Sequence, residues 1–226
     1  MIGGDIDRED DRITRIPLTD KARRILINRL QPLIKQTTIH ISDSRQNSGV
    51  GRTQVFGYGN RRNRGFGEFK NNKEHPELYN ALLAFGREIV PDYIPFTAIQ
   101  VNHNYKTKKH IDGNNIGRSL AISFGDFTGG ELVVEGREYQ TKLHPLIFNG
   151  ALKEHYNRPI HGDRYSLIYF VSAPAKATDE WIENLSRKMR NSVKGGGMEE
   201  SSLSASHLLL GGRLGFLNSN GRVYSY

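Results

Sequence analysis

The sequence predicts an α+β fold in which helices flank a barrel or jelly roll of short antiparallel strands. Three observations carry this reading. Between Phe96 and Ser172 the runs FTAIQVNHN, RSLAISFG, ELVVEG, EYQTKL, PLIFNG and RYSLIYFVS are β-rich and separated by Gly, Asn and Asp turns. That many short strands in so short a span favour a compact antiparallel barrel or jelly roll. Two stretches before them and one after carry apolar residues at helical spacing. Hydrophobic residues are only 36% of the 226, so part of the chain is expected to lie outside the core.

Taken in order, residues 1–16 read as a polar arm. From Leu18 to Ile34, residues Ala22, Ile25, Leu26, Leu30 and Leu33 mark a helix. Pro32 lacks a backbone N–H and should end or kink it. Thr37 to Ser42 is β-branched and predicts a strand. Ser48 to Asn72, rich in Gly, Asn and Arg, reads as a solvated loop over a pocket. Within it Arg61, Arg62 and Arg64 sit near Phe56, Tyr58, Phe66 and Phe69. Basic groups interleaved with rings can track phosphates and stack on bases, which makes Arg61, Arg62, Arg64 and Phe66 candidate substrate contacts.

Pro76 opens a second helix, Leu78, Leu82, Leu83, Phe85 and Ile89 give it an apolar side, and Pro91 closes it. After the strands, Thr178 caps a last helix, with Asp179 and Glu180 in its first turn. Trp181, Ile182, Leu185 and Met189 would dock that helix. Beyond Val193, Gly and Ser dominate, and a flexible tail is expected. The expected organisation is a support region over 1–95, a core with its closing helix over 96–193, and a tail over 194–226.

Composition narrows the chemistry. The chain has no cysteine, which excludes disulfides, zinc thiolate sites, iron–sulfur clusters and a cysteine nucleophile together. Any metal must be held by His, Asp or Glu, which suits iron, manganese or zinc. A net charge of +8 fits a polyanionic partner such as DNA or RNA, and equally a surplus that serves solubility. No stretch approaches the roughly 18 to 20 apolar residues of a membrane span. The acidic start MIGGDIDREDDR lacks the features of a secretory signal. A soluble, intracellular protein is expected.

The constellation of interest is His110-Ile111-Asp112, just after FTAIQVNHN. In extended chain, residues two apart point to the same side, so both side chains can face one metal. A third ligand from another strand would complete a two-histidine, one-carboxylate face and leave positions open for a cosubstrate and O2. The pair alone is weak evidence, since eight His and eleven Asp in 226 residues yield roughly 0.4 such pairs by chance. His161-Gly162-Asp163 is a rival. Only His207, in the expected tail, follows that rival. His110 and Asp112 are followed by His155 and His161 near a strand, then by Arg164-Tyr165-Ser166. His155 lies far enough before Arg164 to occupy a neighbouring strand, whereas His161 sits at an odd offset from it on one strand.

Over about Phe96 to Ser172 the chain resembles the Fe(II)/2-oxoglutarate dioxygenases with a double-stranded β-helix core. The matching order is AIQVN, HID, FTGGEL, PLIFNG, a histidine, Pro159 and RYSLIYF. In detail it is similar to the collagen-type prolyl hydroxylases and to the Tet and J-base thymine hydroxylases. The resemblance implies His110, Asp112 and His155 as iron ligands. It makes Arg164 and its companion Ser166 the binders of the far carboxylate of 2-oxoglutarate, with Asn102 and Tyr105 beside the cosubstrate. It implies Fe(II), 2-oxoglutarate, O2 and ascorbate as a reductant, and no catalytic group beyond those ligands. The spacing from His155 to Arg164 is slightly tighter than in many prolyl hydroxylases, a difference a turn at Gly162 can absorb. The expected activity is hydroxylation of a C–H bond on a nucleobase in DNA or RNA. The alternatives are a prolyl or lysyl side-chain hydroxylase and, in another class, a non-catalytic cupin-like binding module.

Overall fold

The computed structural model describes residues 10–40 and 49–192, together with the backbone of two short strands beyond them. The described residues up to 192 form one compact unit. It opens with a short edge strand, β1 (Thr14–Arg15), so the expected polar arm contributes a strand of its own. Helix α1 (Asp20–Ile25) is capped by the Thr19 hydroxyl, which accepts from the Ala22 N–H. A π-helical turn over Leu26–Leu30 then leads into α2 (Gln31–Gln36). Pro32 therefore neither ends nor breaks the helical run. The wider turn before it relieves the clash its ring would make with the carbonyl four residues back.

Two expectations are corrected here. Thr37 to His40 form no strand, because Thr37 closes α2 by donating both its N–H and its hydroxyl to the Leu33 carbonyl. Ile41 and Ser42 lie outside the described residues. The expected loop from Ser48 to Asn72 is instead a hairpin, β2 (Gly49–Arg61) and β3 (Gly65–Glu68), followed by the single turn α3 (Asn71–Glu74). Its glycines are what disguise the strand. At Gly57 the backbone has a φ of +88°, and a Cβ there would meet the Thr97 carbonyl at 2.4 Å. The strand can pass only without a side chain.

Helix α4 (Pro76–Ile89) follows, then β4 (Ala98–Thr107), β5 (Ser119–Gly129), β6 (Leu132–Val134) and β7 (Arg137–Tyr139). The strands β8 (Leu146–Phe148), β9 (His155–Asn157) and β10 (Ile160–Phe170) complete the set before α5 (Asp179–Asn191). Each of the six β-rich runs contributes to a strand, although in EYQTKL only Glu138 and Tyr139 do; β9 is additional. The large sheet has the order β1-β8-β5-β10-β4-β2-β3, and the small one β7-β6-β9. Every pairing within both is antiparallel.

The period-2 pattern assigns the faces of the large sheet. Ile99 and Val101 of β4, Leu120, Ile122 and Phe124 of β5, and Leu167 and Tyr169 of β10 share one core with Leu26, Leu30, Leu82, Phe85 and Ile89 of the helices. Each fully buried Leu, Ile or Phe contributes about 1.5–3 kcal/mol. A second, smaller core of Ala121, Leu132, Val134, Leu146 and Phe148 lies between the two sheets. Beside it, the alternate residues Gln100 and Asn102 of β4 and Arg164, Ser166, Ile168 and Phe170 of β10 line a cavity, polar at one end and apolar along β10 at the other.

Residues 195–226 form a separate unit. In it β11 (Gly215–Leu217) pairs antiparallel with β12 (Val223–Ser225). The rest of the expected tail lies outside the described residues. No helix among the described residues is long and apolar enough to cross a membrane.

Candidate metal centre

Backbone pairing builds the centre. After β4 the chain runs alongside the start of β9, where His110 and His155 exchange hydrogen bonds in both directions, at 3.1 and 2.9 Å. Two residues on, the Asp112 N–H donates to the Gly150 carbonyl at 2.8 Å. The segment carrying the HID motif is thereby fixed against the segment that carries the third candidate ligand.

Each imidazole is then oriented by its own neighbourhood. His110 Nδ1 lies 2.7 Å from the Lys108 carbonyl, and His155 Nδ1 lies 2.9 Å from the Lys153 carbonyl. A carbonyl can only accept, so each Nδ1 carries a proton, and Nε2 is the atom that ligates once it gives up any proton it donates to Asp112. This is the arrangement by which ligating histidines are usually held. The two Nε2 atoms lie 3.4 and 3.6 Å from different oxygens of Asp112. The ligand atoms of His110, Asp112 and His155 all fall within 4.8 Å of one another, and they are the group among the described residues that could hold a metal. The donor set, two neutral imidazoles and one carboxylate, suits a divalent iron.

Burial pushes the Asp112 carboxyl up, but hydrogen bonds from His110 and His155 outweigh it and hold the group well below the ordinary range. Burial pulls His110 down, and its contact with Asp112 reverses this, so its pKa is raised. Gly150 leaves the space these groups need. A Cβ there would stand 3.2 Å from His155 Cε1 and 3.4 Å from Asp112 Oδ2.

Arg164 lines the same cavity from β10. It is 4% exposed, and its Nε has no hydrogen-bond partner. Its guanidinium lies over the Phe127 ring at 5.6 Å, and no ion pair joins it to a carboxylate among the described residues. Burial pushes its pKa down to about 10, an effect Glu131 only partly offsets. Gly130 makes room for it, since a Cβ there would come within 3.1 Å of Arg164 Cδ and Nε. A buried, charged fork without an anion is costly unless a ligand supplies one.

Polar residues on the cavity side lie next to Arg164. Gln100 donates to Asn102 at 2.8 Å, and Asn102 donates to the Ser166 hydroxyl at 3.2 Å. Tyr105 is buried and lines the cavity too. The structure therefore brings His110, Asp112, His155, Arg164, Ser166, Asn102 and Tyr105 to one cavity. The rival pair is separated from it. His161 is exposed on β10, and Asp163 bonds to His103, which stacks on Tyr165 at 4.5 Å.

The four arginine-hairpin residues divide. Arg62 and Arg64 are exposed and line a groove with Phe69, Lys70 and Lys73; it shares Asn115 and Phe170 with the cavity. Arg61 lines that groove as well, but its guanidinium is occupied by the carbonyls of Arg64, Gly65, Phe66 and Glu68, and it clasps the hairpin. Phe66 packs edge-on against Trp181 at 5.2 Å, away from the residues lining the groove. Gln100, Thr107, Thr141, Asn157 and Phe148 also line the cavity and were not singled out as site residues from sequence. Gln100 was within reach, because it shares a strand face with Asn102. Phe148 meets His155 edge-on at 5.1 Å.

No model of a known protein family matches the chain, and no curated protein matches it by sequence. Among solved structures, NgTET1 in complex with 5mC DNA is 14% identical with a TM-score of 0.52, over 74% of this chain and 74% of that one. An oxidoreductase of the 2OG-Fe(II) oxygenase family from Burkholderia pseudomallei is 17% identical with a TM-score of 0.42, over 70% and 82%. A prolyl hydroxylase from Trichoplax adhaerens, in complex with a hypoxia inducible factor peptide fragment, is 16% identical with a TM-score of 0.44, over 77% and 86%. The likeness to NgTET1 shows a shared fold.

Proposed function

We propose that the chain is an Fe(II)- and 2-oxoglutarate-dependent dioxygenase with a double-stranded β-helix core, acting on a C–H bond of a nucleobase in DNA or RNA. One observation carries the reaction class. A two-histidine, one-carboxylate cluster with both Nε2 atoms placed to ligate shares a cavity with a buried arginine that has no anion. The first half suits a metal and the second a carboxylate, so a metal-chelating dicarboxylate satisfies both. His110, Asp112 and His155 would hold the iron. Together iron and 2-oxoglutarate supply dioxygen activation, in which the cosubstrate is decarboxylated to succinate and the substrate gains a hydroxyl.

The residues of the chain do the positioning. Arg164 grips the far carboxylate through parallel N–H donors, and the Ser166 hydroxyl donates beside it while accepting from Asn102. The Lys108 and Lys153 carbonyls keep both imidazoles in the ligating tautomer. Phe148, Leu132 and Ile168 wall the cavity and exclude water from it.

The choice of nucleic acid over a protein side chain is supported by the groove carrying Arg62 and Arg64, which adjoins the cavity at Asn115 and Phe170. A base must leave its stack, or start unstacked, to reach such a cavity. The test is succinate release by purified protein with Fe(II) and 2-oxoglutarate, offered DNA, RNA and peptide pools. Stimulation by a nucleic-acid pool is the expected result. Stimulation by peptides alone establishes the side-chain hydroxylase. Binding of neither metal nor 2-oxoglutarate leaves a non-catalytic binding module.

A further inference from the structure

A second basic groove meets the cavity at a different place. It is lined by Lys106, Lys108, Lys109 and Arg158, with the half-buried Tyr156 ring among them. It shares Thr107 and Asn157 with the cavity and no residue with the groove of Arg62 and Arg64. At the junction the Thr107 hydroxyl donates to Asn157 Oδ1 at 2.6 Å, joining the end of β4 to β9. The two grooves are alike in combining several cations with aromatic rings, Phe69 and Phe170 in the first and Tyr156 in the second. No acidic side chain lines the second groove. Lys109 and Arg158 do meet Glu154 and Glu138 at 2.6 and 2.5 Å, but both are exposed pairs, which are weak and exchange readily for other anions.

We propose that this lysine-lined groove is a second phosphate track, so that a single strand crosses the cavity mouth with nucleotides held on both sides of the one that enters it. The geometry that carries this is the attachment of two separate cation-and-ring grooves to one cavity at two different pairs of lining residues. Cations along a groove neutralise backbone phosphates, and rings within it stack on bases without regard to sequence. A target nucleotide is then read from inside a strand, and a free nucleotide or strand end meets only half of the site. The inference rests on the nucleic-acid reading of the substrate.

The test is equilibrium binding of a fluorescent single-stranded DNA of about 20 nucleotides, longer than the roughly 4–16 nucleotides that one such groove covers. Metal-free protein is used, so the readout is independent of turnover. Lys106→Gln with Lys108→Gln should lower affinity about tenfold at low salt. It should also reduce the slope of log K against log salt by about 1.4, at roughly 0.7 for each lost phosphate contact. Arg62→Gln with Arg64→Gln should do the same, and the four changes together should give about the sum of the two slope losses. All four side chains are exposed, so thermal unfolding should be unchanged and confirms that each variant folds. If the lysine variant binds like the parent while the arginine variant is impaired, the second track is overturned and the nucleic-acid reading stands. If the parent itself binds no strand in a salt-dependent way, the nucleic-acid reading falls and takes the track with it.

Discussion

The two faces of β4 and β10 differ as sharply as any two regions of the molecule. Toward the helices the strands present Ile99, Val101, Leu167 and Tyr169, all fully buried in a closed apolar core. Toward the small sheet, alternate positions carry Gln100, Asn102, Arg164 and Ser166, also buried but polar and turned to a cavity. The first face is complete within the chain. The second is not, because Arg164 Nε lacks a partner there. One face supplies stability, while the other gives some of it up to remain ready for a ligand.

The largest expected effect breaks the second face. Asp112→Ala should weaken binding of Fe(II), or of Mn(II) as an air-stable substitute, by roughly a hundredfold or more, since it removes one of three ligands. Metal titration by calorimetry reads this, and unchanged affinity would remove the cluster from the account. Breaking the first face should act on folding instead. Leu167→Ala should cost about 2–5 kcal/mol in denaturant unfolding. Its neighbour Ser166→Ala should cost less than about 1.5 kcal/mol, one modest hydrogen bond. Equal losses at the two positions would dissolve the comparison.

Arg164→Met sharpens it, because the sign reverses. Removing a buried charge that has no anion should raise the stability of the ligand-free protein by about 1–3 kcal/mol. A loss of stability would mean the guanidinium is satisfied within the chain. A smaller effect follows from pH. His110 has a raised pKa, and a metal must displace its proton, so metal affinity should fall as pH drops through that range, by up to about tenfold per unit. Affinity flat from about pH 8 to pH 6 would show that His110 does not ligate. The smallest effect is none. His161→Ala, on the exposed side of β10, should leave metal affinity within experimental error.

Much of this contrast was legible in the sequence, for a physical reason. Strand alternation in AIQVN and RYSLIYF separates the faces without knowledge of the fold. The HID motif and the order of His155, Arg164 and Ser166 then place the polar face. What stayed hidden had weak local signals. The three residues of β9, His-Tyr-Asn, have no apolar alternation, and their pairing with Leu132 to Val134 creates the strand. In β2, glycines required by close packing against Thr97 and Phe69 mask a strand that the neighbouring β4 holds in register. Arg61 looked like a phosphate contact because sequence cannot show that four carbonyls of its own hairpin surround it. Asn157 and Thr107 belong to no motif, and only the closure of the two sheets brings them together.

The central claim is that the metal cluster and Arg164 form one site for a metal-chelating dicarboxylate. Calorimetric titration of 2-oxoglutarate into protein loaded with Mn(II), without oxygen, tests it directly. The account predicts one molecule bound per chain, no binding without metal, and loss of most of the affinity in Arg164→Met. Binding that is indifferent to both the metal and Arg164, or no binding to the loaded protein, would contradict it.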